Sequence, residues 1–396
     1  MGRVPLPFGR NAARLKRNLV KLVLGLAIGA FFVWLSAKDW PLDRLVGPTY
    51  MDGTVLHVGS PTEGWSMDLL WLLPFFGILV LIHVLRVVRW KPLLDPIAPL
   101  SLREHNRIGA VGFMAMFLFP LRLGELVRPY LVKRATAKTG TPVRMSEVLA
   151  TVVVERVVDG LVVSLFLFGV LFLLPGEGAS ADRMKVGAFA ALAVFSAAAV
   201  LLAGARWQRE RTRTFVRWTA GLVSKRLAAG IGRILDDFLR GLTRLPTIRT
   251  FVLFLAMTVT YWGLNGLGVW CMVQAFDLPI DMIGAYAMMA CVVVGMMIPN
   301  SPGNVGSFWY FLCLPVALYG LSDSAPRVIA LGLSVWLMQL LQQSLFGLWF
   351  IARGQVSWKG VVDATTEDET SLVEGEADQP AAAPRAARGL SGTVVG

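Results

Sequence analysis

Three ionisable residues stand within a long apolar stretch of this chain. Glu155, Arg156 and Asp159 lie inside residues 147–174, which are otherwise rich in Val, Leu and Phe. On a helix, positions three or four apart share a face, so Glu155 and Asp159 point the same way and Arg156 can reach Asp159. Charges in apolar surroundings are costly unless they are paired or meet water. The spacing therefore predicts an ionic cluster, a polar cavity, or both.

A second charged segment precedes this stretch. Residues 120–128 place three ionisable side chains beside a Pro and a Gly that interrupt an apolar sequence. Together with the three residues above, these side chains sum to zero charge. Two interpretations stay open: a closed network that only fixes the structure, and a cavity in which some of the charges meet a ligand headgroup. The candidate binding residues of this segment are Pro120, Arg122, Gly124, Glu125 and Arg128.

A second interruption lies in the C-terminal half, at residues 299–306. It brings Pro, Gly, Asn and Ser into an otherwise apolar region. A half-helix that begins after Asn304 would present unpaired N–H groups and the positive end of its dipole, which suits phosphate or carboxylate. The candidate binding residues here are Pro299, Ser301, Pro302, Gly303, Asn304 and Gly306.

The later apolar stretches contain few polar residues. They are Asn265, Gln339, Gln342 and Gln343, of which Gln339 and Gln343 share a helix face. Such side chains either line a cavity or join helices through hydrogen bonds, and the second interpretation is favoured.

Composition indicates which elements position these groups. Of 396 residues, 55% are hydrophobic and 16% charged, against about 25% charged in a soluble domain. Apolar blocks have the length that crosses about 30 Å of hydrocarbon. We predict an all-α polytopic membrane protein with about six full transmembrane helices and two re-entrant helical hairpins. The spans are about 18–37, 67–88, 147–174, 185–204, 250–272 and 327–352; the hairpins are 102–134 and 283–320, the latter alternatively two thin full spans.

The net charge of +12 is concentrated in short loops beside the apolar blocks. This distribution is typical of the positive-inside pattern rather than of nucleic-acid binding. It places in the cytoplasm the basic N-terminus 1–17, the basic loop 205–249 and a disordered acidic tail over 353–396, and it assigns Arg86 and Arg89 to the cytoplasmic side. Apolar residues at helical spacing within 205–249 predict an amphipathic helix on an anionic leaflet, or else a solvated connector. The expected location is the cell membrane.

Metal, cofactor and catalytic signatures are not found in the sequence. The three Cys residues lie in apolar stretches without paired spacing, and the three His residues lack metal-ligand spacing. We therefore expect no metal site, no cofactor and no enzymatic activity.

The order of the elements suggests an inverted repeat. Each half gives two spans, a re-entrant segment and a further span, and the second half has the opposite orientation. Broken apolar segments at matching positions of two halves are typical of a transporter's central site. The correspondence is one of topology, without repeated residues.

Several segments together resemble the lysylphosphatidylglycerol synthase transmembrane-region family, which is flippase-like. They are Arg86-x-x-Arg89-Trp90, the 120–128 segment, Glu155-Arg156-x-x-Asp159 and the 299–306 segment. In the family pattern a second Gly stands where this chain has Asn304, and a Glu follows shortly after, whereas this chain has Ser307-Phe308-Trp309. The resemblance covers most of residues 15–352.

This resemblance implies movement of an amphiphilic lipid between leaflets, without the soluble synthase domain. Its partners would be membrane lipids with an anionic or phosphate-bearing headgroup, and oligomerisation is compatible with it. The alternative from another class is a membrane-embedded transferase that acts on a polyprenyl-phosphate or phospholipid, with Glu155 and Asp159 as base or metal ligands. A third hypothesis is a non-catalytic protein that docks a soluble enzyme through the basic loop or the acidic tail.

Overall fold

The protein is predominantly helical. The computed structural model describes residues 8–60, 63–174, 178–221, 225–244, 246–297 and 301–366. The helices in these ranges are α1 (Phe8–Ala37), α2 (Leu42–Leu45), α3 (Leu72–Val88), α4 (Lys91–Leu94), α5 (Leu102–Leu118), α6 (Val127–Lys138), α7 (Met145–Leu171), α8 (Ala179–Trp207), α9 (Arg209–Gly221), α10 (Lys225–Thr243), α11 (Ile248–Ala275), α12 (Met282–Met296), α13 (Ser307–Cys313), α14 (Pro326–Ala352) and α15 (Trp358–Thr366). Short 3-10 turns occupy Leu69–Trp71, Pro120–Leu126, Pro302–Asn304 and Val316–Tyr319.

Five segments in the described part of the chain are long and apolar enough to cross a membrane. They are Leu19–Ala37, Leu69–Leu94, Ala179–Trp207, Ile248–Ala275 and Pro326–Ala352. Helix α7, the sixth predicted span, has 27 residues but carries three charged side chains near its middle. The prediction of an all-α polytopic membrane protein is confirmed. The re-entrant geometry, the inverted repeat and the orientation of the termini stay predictions.

A small sheet follows α1 and α2. Strands β1 (Thr49–Asp52), β2 (Val55–Val58) and β3 (Trp65–Asp68) pair in an antiparallel meander. Gly53, with a φ of 59°, permits the two-residue turn between β1 and β2. Met67 of β3 is buried in the apolar core, which attaches the sheet to the helices.

The first interruption is a strained turn between α5 and α6. Ser101 caps α5 by accepting a hydrogen bond from the Glu104 N–H, and the helix ends before Pro120. Leu121 and Arg122 both have left-handed backbones, with φ of 54° and 60°, which side chains with a Cβ adopt at a cost. Strain of this kind persists only where surrounding contacts hold the backbone in place.

The second interruption lies between α12 and α13. Gly303, Asn304 and Gly306 have positive φ angles of 69°, 53° and 82°, and Asn is one of the few residues with a Cβ that tolerates such a conformation. Pro299 and Asn300 lie outside the described residues. Helix α13 has only seven residues, and the choice between a re-entrant hairpin and two thin full spans for 283–320 stays a prediction.

Helix α1 packs across both interruptions. A Cβ built on Gly25 would lie 2.7 Å from the Pro120 Cβ and 3.6 Å from the Pro302 Cδ. One built on Gly29 would lie 2.7 Å from the Ser301 Cβ. Small residues allow this close approach. Two interruptions that are far apart in sequence are thereby held side by side.

Two apolar clusters pack along α7. Residues up to Val154 belong to a cluster with α4, α5, α6 and α10, whereas residues from Val162 onward belong to one with α3, α11, α12 and α14. The three charged residues of α7 lie between Val154 and Val162. They therefore form a polar layer between two apolar regions.

One sequence interpretation is refined and one needs correction. The amphipathic helix predicted in the basic loop is α10, and part of its apolar face, Leu239 and Leu242, is buried next to α7; contact of the rest of that face with a leaflet stays a prediction. Its Asp237 is fully buried and accepts a 2.7 Å hydrogen bond from Arg144. The disorder predicted from residue 353 is wrong for α15. Its Val361 and Ala364 are completely buried in the apolar cluster that includes α4, α5, α6 and α10. Residues 367–396 lie outside the described residues.

The first interruption requires glycine at position 124. A Cβ there would lie 2.2 Å from the backbone carbonyl of Ala115, so Gly124→Ala must displace α5. We expect a loss of about 1–3 kcal/mol in unfolding free energy, as for an overpacked core. The control is Gly187→Ala on α8, where a Cβ meets open space and where helix propensity predicts no loss. Thermal unfolding in detergent that shows equal midpoints for the two variants would contradict this packing.

Candidate functional site

Arg89, at the end of α3, is the centre of a buried ionic network. Its guanidinium donates to both carboxylate oxygens of Asp159, at 2.6 and 2.9 Å, and to Glu155 at 2.9 Å. All three side chains are at most 1% exposed. A planar guanidinium fits a carboxylate in this bidentate manner, which a Lys ammonium cannot reproduce.

Two further arginines complete the network. Arg128 of α6 donates to the other Glu155 oxygen at 2.7 Å. Arg156 donates to Glu155 at 3.0 Å and lies 3.4 Å from Asp159. The Trp262 indole N–H donates to Asp159 at 3.0 Å. Each of the four carboxylate oxygens therefore has at least one donor, as buried charge requires.

Aromatic rings contact three of the arginines. The Arg86 guanidinium carbon lies 4.3 Å from the centre of Phe113, and the Arg128 guanidinium carbon lies 4.7 Å from the same ring. Tyr261 is placed in the same way between Arg86 and Arg89, at 5.7 and 4.6 Å. The negative faces of these rings stabilise the cations.

A cavity of about 80 Å³ lies beside the network. That volume holds a few water molecules or one small polar group. Both interruptions reach it, since Arg122 comes from the first and Ser301 and Asn304 from the second. Besides Tyr261 and Trp262, its polar lining residues are Arg86, Arg122, Asn265, Ser301, Asn304, Gln339 and Gln343. No Asp or Glu lines it among the residues that the structure describes.

The two arginines that face the cavity are weakly paired. The Arg122 Nε lies 3.5 Å from the Glu125 Oε1, which accepts no hydrogen bond. Arg86 has aromatic contacts and no carboxylate within ion-pair distance among the described residues. Gln343 is 7% exposed, and its Oε1 has no hydrogen-bond partner in the described structure. These groups retain capacity to bind a ligand.

The predicted site residues divide into three groups. Glu155, Arg156, Asp159 and Arg128 form the network, behind the cavity wall. Those that line the cavity are Arg122, Ser301 and Asn304. The others shape the two turns and lie outside the lining: Pro120, Gly124, Glu125, Pro302, Gly303 and Gly306. Pro299 cannot be assigned to any group because it lies outside the described residues.

The charge balance predicted for six groups is incomplete because it omits two arginines. Arg86 and Arg89 follow an apolar run, and the positive-inside pattern assigned both to the cytoplasmic side, which stays a prediction. Arg89 is 1% exposed in the protein interior, and Arg86 lines the cavity. The spacing of three residues between Arg86 and Arg89 places both on one helix face, toward Tyr261. This spacing was the sequence signal that could have assigned them to the site.

One other interpretation is overturned. Gln339 and Gln343 line the cavity, whereas hydrogen bonds between helices were favoured; in the described residues neither side chain makes one. The role of the α13 N-terminus in binding an anion stays a prediction. Asn304 and Phe308, on either side of the start of α13, line the cavity, and a Cβ on Gly306, the N-cap, would lie 2.5 Å from the Val33 N of α1.

Comparison with known proteins connects this geometry to a family. The family model described as the lysylphosphatidylglycerol synthase TM region matches residues 59–336. The chain belongs to this family. Searches of curated proteins and of solved structures give no match. Membership in the lysylphosphatidylglycerol synthase TM region indicates a function connected with membrane lipids.

The matched part of this lysylphosphatidylglycerol synthase TM region contains the whole ionic network and both interruptions. Helix α1 lies before it, and Gln339 and Gln343 lie after it. Asn304, which stands where the resemblance led us to expect a second Gly, has a left-handed backbone with a φ of 53° and contributes a side chain to the cavity wall.

The network predicts a large effect of removing one carboxylate. In Asp159→Asn, Arg89 loses its bidentate partner in a site closed to water, and we expect a loss of about 3–5 kcal/mol in stability. The control is Asp182→Asn, since Asp182 forms an exposed pair with Lys185 worth at most about 1 kcal/mol. Unfolding midpoints measured in detergent should separate the two variants clearly. Equal midpoints would show that the buried network is not a structural requirement.

Proposed function

We propose that this protein moves a phospholipid or lipid-linked headgroup between the leaflets of the cell membrane through the central cavity. One observation carries the proposal: two chain interruptions from different halves meet at a polar cavity inside an apolar protein, and two weakly paired arginines face that cavity. Discontinuous helices near the middle of a bilayer are typical of transporter sites.

The energetic problem that such a protein solves is the desolvation of a phosphate. An isolated ion in hydrocarbon is strongly disfavoured. Arg86 and Arg122 would replace part of the phosphate's hydration, and the amides of Asn265, Gln339 and Gln343 would hydrogen-bond to the rest of the headgroup. The cavity is too small for a whole lipid, so the acyl chains would remain in the bilayer while the headgroup crosses.

Helix α1 would regulate access in this proposal. It closes over both interruptions through Gly25 and Gly29, yet only 11% of its apolar stretch, which lies within Leu19–Ala37, is buried in the protein. A helix held by so small a contact can separate without disrupting either apolar cluster. Its movement would open the cavity sideways toward lipid.

We also propose that the protein has no catalytic step, that both termini lie in the cytoplasm, and that the two halves alternate in exposing the cavity.

The proposed lack of catalysis is supported by the positions of Glu155 and Asp159. Glu155 accepts hydrogen bonds from Arg89 and Arg128, one on each oxygen. Asp159 accepts hydrogen bonds from Arg89 on both oxygens and from Trp262. Neither carboxylate lines the cavity. They are poorly placed to act as base or metal ligand, as the transferase hypothesis requires.

The proposal predicts transport in liposomes that depends on the cavity arginines. With lipids labelled on the acyl chain and quenched from outside, purified protein should accelerate the exchange of label between leaflets. Arg122→Gln should lower that rate by about tenfold or more, the effect of losing roughly 1.4 kcal/mol of binding in transit. The control is Arg353→Gln, because Arg353 stacks on Trp349 at the end of α14. No acceleration by folded protein, across a broad lipid panel, would refute the proposed function.

A further inference from the structure

The surroundings of the cavity carry more positive than negative charge. Five arginines lie in the network or at the cavity: Arg86, Arg89, Arg122, Arg128 and Arg156. Three carboxylates accompany them: Glu125, Glu155 and Asp159. The balance is therefore a net charge of +2. In a low-dielectric interior, such an excess attracts an anion strongly.

The excess charge lies partly in the network and partly at the cavity. Arg89, Arg128 and Arg156 share the two carboxylates of Glu155 and Asp159, which leaves one positive charge in the network. The remaining two, Arg86 and Arg122, are the only Lys, Arg, Asp or Glu side chains in the described lining. A ligand that enters thus meets two cations and uncharged polar groups.

A cationic group would find no partner in the same place. The four oxygens of Glu155 and Asp159 are already occupied, and these residues lie behind the cavity wall. Glu125 lies outside the described lining and is paired with Arg122. An ammonium could bind it only by approaching the Arg122 guanidinium, which repels it.

The uncharged part of the lining can bind a hydroxyl group. The Gln343 Oε1 is buried without a donor, and an unsatisfied buried acceptor is costly. A ligand hydroxyl can donate to this oxygen and accept from the neighbouring amide of Gln339 or Asn265. Hydroxyl groups make these bonds without adding positive charge.

We propose that the cavity selects lipids whose headgroup is net anionic: a phosphate that meets Arg86 and Arg122, followed by a hydroxyl-bearing rather than an amine-bearing group. This inference rests on the proposed function and specifies its substrate class. Zwitterionic and cationic headgroups, which include the aminoacylated phosphatidylglycerol suggested by the family's name, are discriminated against. The selectivity comes from the net charge of +2: one positive charge remains in the network, where three arginines share two carboxylates, and the other lies on Arg86, which has no carboxylate partner in the described structure.

Transport of a charge series tests the selectivity. The full-length protein in liposomes is given acyl-labelled phosphatidylglycerol, phosphatidylethanolamine and lysylphosphatidylglycerol in separate experiments. We expect phosphatidylglycerol to move at least about tenfold faster than either amine-bearing lipid. Arg86→Gln should reduce this ratio severalfold, whereas Arg353→Gln should leave it unchanged. Equal rates for the three lipids would overturn the inference while leaving the proposed function intact.

A binding measurement separates the inference from transport. Thermal stabilisation of the detergent-solubilised protein is recorded with dihexanoyl phosphatidylglycerol, dihexanoyl phosphatidylcholine and inorganic phosphate. Stabilisation by the phosphatidylglycerol alone, lost in Arg86→Gln, supports selection of an anionic headgroup. If such binding occurs but no lipid moves, the proposed function fails and the inference stands. Equal stabilisation by inorganic phosphate and the phosphatidylglycerol shows a site for free anions, and equal stabilisation by the two lipids shows no selection; either result overturns the inference.

Discussion

The pairing of buried arginines with Glu155 and Asp159 is the constraint on which the rest of the structure depends. A carboxylate inside an apolar protein is tolerated only when it is paired and its oxygens accept hydrogen bonds. Meeting that condition requires α3, α6, α7 and α11 to converge, because Arg89, Arg128, Glu155 and Trp262 come from four different helices. The polar layer on α7 therefore fixes the relative positions of helices that apolar packing alone would leave less precisely defined.

The same requirement explains why the two interruptions matter. A continuous helix across residues 120–126 would carry Arg122 away from the network and could not turn back to place Arg128 on Glu155. The left-handed backbone at Leu121 and Arg122 costs energy locally, and the Arg128 ion pair and the packing of α1 offset that cost. The outcome is a cavity that lies beside an ionic network whose carboxylate oxygens all accept hydrogen bonds, and whose lining includes polar groups without a partner, such as the Gln343 Oε1.

Much of the fold follows from the sequence, because helical spans have a simple length and composition. The structure has helices over each of the six predicted spans, and the Pro- and Gly-containing segments are turns. The site was harder to predict, since it depends on which face of each helix meets another. Residues 155–159 stand out because they are charged within an apolar run. Arg89 lies at the end of such a run, where a solvated cation is equally common. The sequence of α10 predicts an apolar face, but it does not show that part of this face packs against α7.

The central claim is that the arginines outnumber the carboxylates around the cavity and leave a positive potential in it, and the reactivity of a cavity thiol measures that potential directly. Asn265 lines the cavity without belonging to the network, so Asn265→Cys, with Cys271, Cys291 and Cys313 replaced by Ala, provides one reporter. Its modification rates by an anionic and a cationic methanethiosulfonate reagent of similar size are compared, each divided by the rate with a free thiol in solution. The account predicts a faster normalised reaction with the anionic reagent, and a smaller difference when Arg86→Gln is added. An equal or faster normalised reaction with the cationic reagent would contradict it.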